Sequence, residues 1–247
     1  MNSTYFHFVR ESENPRARLF CFHYAGGSPS AYASWQKYID TDIDVFPFQM
    51  AGRCARSGEK FSQSIEAAAY EAAEEISKYN DKEIIFTGHS MGGVVAYHTA
   101  YLMKALYGVA VKKIFITASV PDLGLYIRKN YGSSSCFDDN RFCDMLLKFG
   151  AVDRKIMNVK GFNEQFLPII RSDFKLIENY KANAIHTIDS DIDVFCGDCD
   201  CIADKKSCEE WKNYTNGKVS ITEYNGDHFF IKNHTQEICD CINSCLN

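Results

Sequence analysis

Three features of the sequence predict an α/β fold, with a mostly parallel central sheet and helices on both faces. Short β-prone apolar runs recur along the chain, at residues 18–23, 43–49, 84–87, 113–119, 192–197 and 219–224. Amphipathic helical patterns separate several of them, and strand–helix alternation is the sequence form of a parallel sheet covered on both sides. The third feature is Gly88-His-Ser-Met-Gly92, which interrupts one apolar run and opens a helical one. A length of 247 residues with 46% hydrophobic and 24% charged content suffices for the large core that such a sheet needs.

In chain order, Arg18 to His23 reads as a buried strand ending in Tyr24-Ala25-Gly26-Gly27-Ser28, where the glycines mark a tight turn. Ala31, Tyr32, Trp35 and Tyr38 follow at helical spacings, with Ser28 or Ser30 as N-cap. Ile43 to Gln49 is the second strand. Residues 64–79 place Ile65, Ala69, Ala72 and Ile76 on one helical face. The helix after Gly92 is expected to run to Tyr107 and stop at Gly108. After the strand at 113–119 the alternation ceases from about 121 to 186, where patterns such as Phe142, Met145, Leu146 and Phe149 are helical throughout. That stretch is expected to be a helical lid inserted into one domain spanning 1–247. The strand Ile192 to Gly197, a short helix holding Trp211 and Tyr214, the strand Val219 to Tyr224 and a last helix over 235–246 complete the chain.

The net charge of −5 argues against a nucleic-acid binder. No run approaches the ~18 apolar residues of a membrane span, and the first residues lack the pattern of a signal peptide. A cytoplasmic protein is the expectation. Eleven cysteines, an odd number, then read as reduced thiols. Cys196, Cys199, Cys201 and Cys208 cluster, but no second C-x-x-C pair gives them zinc-site spacing, and no metal is expected. Cys239, Cys241 and Cys245 fall in the last helical pattern as small apolar residues.

Gly-x-Ser-x-Gly between strand and helix is the context of a nucleophile elbow, with Ser90 on the turn. A serine hydroxyl is nearly inert at pH 7, so it needs a base, a group that orients the base, and donors for the oxyanion. His228 is the candidate base, because it follows the last strand and precedes the final helix. His23, at the end of the first strand, is second. The acid lies in the loop after 192–197, where Asp198, Asp200 and Asp204 are all within reach and spacing does not choose among them. The backbone amides of Met91 and of the Tyr24-Ala25 turn are the candidate oxyanion donors.

With these residues in view, the chain resembles the type II thioesterases that accompany nonribosomal peptide and polyketide synthetases, members of the α/β-hydrolase superfamily. His23 to Ser28 with Tyr32 and Trp35 resembles their oxyanion loop, Gln49 with Gly52-Arg53 and Arg56 their Gln-x-Pro-Gly-Arg loop, and Gly88 to Gly93 their elbow. Leu167-Pro168 with Arg171, Asp173 and Tyr180 resembles the end of their lid, while Gly197 to Asp200, Trp211 and Gly226-Asp-His-Phe-Phe230 resemble their acid and histidine loops. Ala51 stands where the family has proline, and Cys54 where it usually has an acid. The resemblance implies Asp200 as the acid, three residues after Gly197, with Ser90, His228, Ala25 and Met91 completing the site. It also implies hydrolysis of acyl thioesters on the phosphopantetheine arm of carrier proteins, with acyl or peptidyl carrier domains as partners, no cofactor, and a monomer. Rival readings are an esterase, an acyl-coenzyme A thioesterase or acyltransferase with the same triad, and a ligand-binding homologue without turnover.

Overall fold

The structure, a computed structural model, describes residues 4–152, 154–183 and 186–246. The chain alternates β1 (Ala17–Phe22), β2 (Ile43–Pro47), α1 (Ile65–Ile76), β3 (Glu83–His89), α2 (Met91–Tyr107) and β4 (Lys113–Thr117). Four helices follow without a strand, α3 (Leu123–Tyr131), α4 (Asp139–Phe149), α5 (Arg154–Met157) and α6 (Leu167–Asn179). The sheet resumes with β5 (Asp191–Gly197), α7 (Lys205–Cys208), β6 (Val219–Tyr224) and α8 (Thr235–Ser244). The strands lie in the order β2-β1-β3-β4-β5-β6, and each pairs in parallel with its neighbours.

Because side chains alternate across a strand, the sheet sorts its own residues between two cores. On one face Phe20, Phe22, Phe86, Ile114, Ile116 and Val194 pack with the apolar stripes of α1 and α2. On the other face Leu19, Cys21, Val45, Ile85, Phe115 and Phe195 meet Tyr32, Trp35 and the buried side of α8. The stripe Ile65, Ala69, Ala72 and Ile76 is fully buried, and Ser64 caps α1 by accepting from the Ala67 amide. The four helices between β4 and β5 extend the first core over the carboxyl ends of the strands through Phe142, Leu146, Phe149, Phe174 and Ile177. No helix among the described residues is long and apolar enough to cross a membrane.

Some details depart from the expectations. Residues 29–37 form a 3-10 helix, not an α-helix. Ser28 takes the N-cap position, but its hydroxyl bonds to the Ser30 hydroxyl instead of capping. Three residues per turn stack Tyr32 above Trp35 on one buried face, while Tyr38, where the helix ends, is exposed. Trp211 likewise sits on a 3-10 turn, Glu209–Asn213, with its indole N–H donating to the Ser119 carbonyl. β4 ends two residues early because Ala118 turns to a φ of 50°.

Candidate active site

β3 delivers Ser90 to a tight corner. Its φ of 54° and ψ of −119° are strained for a residue with a Cβ, and such strain persists only where the surroundings enforce it. The Ser90 amide donates to the Thr117 carbonyl at the end of β4, which ties the corner to the sheet. The helix turns back so tightly that a Cβ on Gly92 would lie 2.0 Å from the Phe22 carbonyl oxygen, and one on Gly88 2.2 Å from the Gly92 oxygen. No side chain fits at either glycine.

The loop after β6 places His228 against this corner. Its Nε2 is 2.9 Å from Ser90 Oγ, and its Nδ1 is 2.7 Å from Asp200 Oδ2. Asp200 Oδ1 accepts from the amides of Ile202 and Ala203. Burial by itself would raise the Asp200 carboxyl, but His228 and those two amides outweigh it and hold the group below its usual range, as a carboxylate. The other two acids of this loop do local work. Asp198 accepts from the Gly226 amide, which ties the two loops together, and Asp204 caps α7 by accepting from the Ser207 amide.

Met91 opens α2, so its amide belongs to the first turn, whose donors have no helical acceptor, and the positive end of the helix points the same way. Ala25 lines the same small cavity as Ser90, with Ile127, Phe149, Phe174 and Ile177 of the four-helix segment as its roof. That cavity holds only about 10 Å³, room for about one water. Phe149 packs on the His228 ring at 4.4 Å between centroids.

The turn carrying Ala25 is held from outside the site. Gly26, at a φ of 75°, donates its amide to Asp173 Oδ2 at 2.7 Å, and a Cβ there would meet Ile170 at 2.6 Å. Asp173 in turn takes two bonds of 2.6 Å from the Arg53 guanidinium, and both side chains are almost wholly buried. Arg53 also donates to the Gly27 carbonyl. Ile170 and Asp173, one turn apart on α6, thus grip the loop beside Ser90. In the sequence Arg53 and Asp173 stand out only through the family resemblance, since residues 120 apart show no pairing in a linear pattern.

Three other histidines, His23, His89 and His98, have contacts of their own. His23 Nδ1 bonds the Tyr24 carbonyl, whereas the ring bonded to Ser90 Oγ is that of His228. Burial, followed by the nearby Arg53 charge, pushes its pKa down from 6.5 to about 4. A folded value below the unfolded one means that the unfolded chain takes up the proton first as pH falls. His23 should therefore contribute stability that is intact above pH 6.5 and lost by up to about 3 kcal/mol on acidification towards pH 4. Urea midpoints for the wild type and His23→Gln at pH 7 and pH 4.5 test this; an equal loss in both chains would exclude His23 as the source. His89 bonds Thr117 through Nδ1, and His98 lies near the Tyr180 hydroxyl.

All eleven cysteines are free thiols, and Cys239 is fully buried on α8. Among the described residues, no group of three or more His, Cys, Asp or Glu side chains is placed to hold a metal ion.

Comparison with known proteins matches residues 17–246 to the model of a family described as the thioesterase domain. The chain is 29% identical over 248 residues to the medium-chain S-acyl fatty acid synthase thioesterase of Rattus norvegicus, covering 95% of this chain and 90% of that protein. It is 25% identical over 239 residues to thioesterase PikA5 of Streptomyces venezuelae, covering 94% and 82%. Among solved structures it superposes on YbtT, a type II thioesterase from the yersiniabactin NRPS/PKS biosynthetic pathway, with a TM-score of 0.81 at 21% identity over 97% of this chain and 98% of that one.

Proposed function

The chain belongs to the thioesterase domain family, and from that premise we propose that Ser90, His228 and Asp200 hydrolyse acyl thioesters carried on the phosphopantetheine arm of a synthetase carrier protein, in an editing role. The observation that carries the reading is the unbroken chain of short hydrogen bonds from Ser90 Oγ through His228 to Asp200. In this mechanism Ser90 Oγ attacks the thioester carbonyl while its proton passes to His228 Nε2. The carbonyl oxygen, now anionic, accepts from the amides of Met91 and Ala25. Collapse expels the arm's thiolate, which takes the proton from His228. Water, deprotonated by His228, then attacks the acyl-serine and releases a carboxylic acid, and the proton returns to Ser90. Asp200 holds Nδ1–H, fixes the tautomer that leaves Nε2 free to accept, and stabilises the imidazolium. No step calls on a metal or a diffusible cofactor. The helices α3, α4 and α6 act as the lid over the acyl chain, which must displace side chains such as Phe149 to enter so small a cavity.

Hydrolysis rates on acyl carrier protein, acyl-coenzyme A and a p-nitrophenyl ester of the same acid test the substrate class. The carrier thioester should be preferred; equal or faster turnover of the simple ester would sink the carrier-protein reading. Within the triad, Asp200→Asn should lower kcat by about 10⁴-fold, because an amide favours the wrong imidazole tautomer. Asp198→Asn should change kcat by less than about tenfold, since it loosens only a loop contact. The reverse ranking would transfer the role of acid to Asp198.

A further inference from the structure

A second cavity, of about 400 Å³, opens at the surface of the four-helix segment, where α3, the turn Ser134–Cys136 and α6 meet. We propose that it binds the phosphate group of a small phosphorylated, hydroxyl-bearing molecule, held by Arg128, Arg171 and Lys175 together with the hydroxyl of Ser135.

The lining sets three cations against one carboxylate, Glu178. That carboxylate faces the turn, where its Oε1 accepts from the Ser134 amide at 2.8 Å and its Oε2 from the Ser133 hydroxyl at 2.9 Å. Arg171 is bridged to Asp139 at 2.7 Å, but among the described residues no carboxylate pairs with Arg128 or Lys175. Arg128 donates to the Glu178 carbonyl through Nη1, which leaves other guanidinium N–H groups for a ligand. The end of α6 does not account for the other two cations, since neither Arg171 nor Lys175 lies in its last turn. They stand four residues apart, a spacing at which like charges on one helix repel. An anion bound among the three cations offsets that repulsion.

Donors reach the space from three elements: Arg128 from α3, Ser135 from the turn, Arg171 and Lys175 from α6. Such a set fits a tetrahedral dianion, whose oxygens accept from several directions, better than a planar carboxylate, which one arginine fork satisfies. The Ser135 hydroxyl is exposed and bonds to that of Ser133 at 2.9 Å, and it can rotate to turn its proton to a ligand. A volume within the ~300–1,000 Å³ of small-ligand sites suits a molecule larger than the ion alone. No apolar side chain is among the described lining residues, so the rest of that molecule is polar, with Ser133 and Asn179 as partners for its hydroxyls.

The site bears on the serine through shared helices. Ile127, Phe174 and Ile177, which roof the cavity at Ser90, are the chain neighbours of Arg128, Lys175 and Glu178. The two helices pack so closely that a Cβ on Gly124 would lie 2.2 Å from the Ile177 carbonyl oxygen. A ligand that ties Arg128 to Lys175 holds α3 and α6 together and opposes the displacement that an acyl chain needs. This consequence, unlike the binding itself, rests on the functional reading above.

Calorimetric titration of the full chain with ribose 5-phosphate, ribose and inorganic phosphate, at pH 7.5 and fixed ionic strength, tests the binding. Ribose 5-phosphate, mostly a dianion at that pH, should saturate with a Kd of about 1 mM or below, and ribose should not bind. Arg128→Gln and Lys175→Gln should each weaken the ester by about tenfold. Should Arg128→Gln fail to fold, Lys175→Gln decides, because that side chain is exposed and its loss breaks no ion pair. Equal affinity in the wild type and Lys175→Gln, or no binding by the wild type at about 10 mM ester, overturns the site. Inorganic phosphate that binds as tightly as the ester keeps the anion site and overturns the part given to the hydroxyls. At saturation with ester, kcat/KM for an acyl-carrier thioester should fall by about threefold or more. Where binding is seen, an unchanged rate overturns the link to the roof alone, whereas a chain that does not hydrolyse the thioester without ligand overturns the functional reading and leaves the site standing.

Discussion

Ser90→Ala is expected to cut hydrolysis of an acyl-carrier thioester by at least about 10⁴-fold while leaving the fold in place. The loss is this large because no neighbour can replace the hydroxyl. Thr87 is buried in β3 and Ser119 in the segment after β4, and His228 Nε2 has Ser90 Oγ as its partner. Stability should change little. Alanine keeps the same Cβ at the same strained φ, so the substitution removes one hydrogen bond and adds no clash. Single-turnover release of the acid, with a urea midpoint on the same sample, measures both quantities. Activity within tenfold of wild type would dismiss Ser90 as nucleophile.

The second large effect is on stability. Arg53→Met should destabilise the chain by about 3–5 kcal/mol, since it leaves the Asp173 carboxylate buried without its cation. Adding Asp173→Leu to Arg53→Met should recover a good part of that loss, because most of the penalty comes from the uncompensated charge. The Gly26 amide would still lack its acceptor in the double variant. The turn carrying Ala25 would then be loosened, and kcat should remain low by up to about 10²-fold even where stability returns. Urea unfolding combined with kcat and KM for the two single variants and the double separates these effects. If kcat recovers in step with stability, the clamp is structural only and does not position the oxyanion turn.

Much of this protein is legible in its sequence, and the legible parts share a physical character. The six strands, the stripe of α1 and the stop of α2 at Gly108 are written in local periodicity, because each element must bury one face on its own. Gly88 and Gly92 are legible as well: a corner in which a Cβ would meet backbone at about 2 Å admits only glycine. Even the loop acids follow local rules, since Asp198 and Asp204 serve the turn and the helix cap that short-range patterns suggest for aspartate.

The tertiary structure decided what depends on distant segments meeting. Spacing left three aspartates open, and only the packing of the loop after β5 against the loop after β6 set Asp200, and not its neighbours, on His228. The same holds for the Arg53–Asp173–Gly26 clamp, which joins two loops and a helix remote in sequence, and for Phe149 on the His228 ring. It holds also for Tyr24 and Phe229, whose rings meet edge to face at 5.1 Å and line the cavity at Ser90. Sequence periodicity records which face of an element is buried; it does not record against what. That second choice is made by how the elements close on one another, and in this protein it determines the partner of the base, the anchor of the oxyanion turn and the walls of the cavity at the serine.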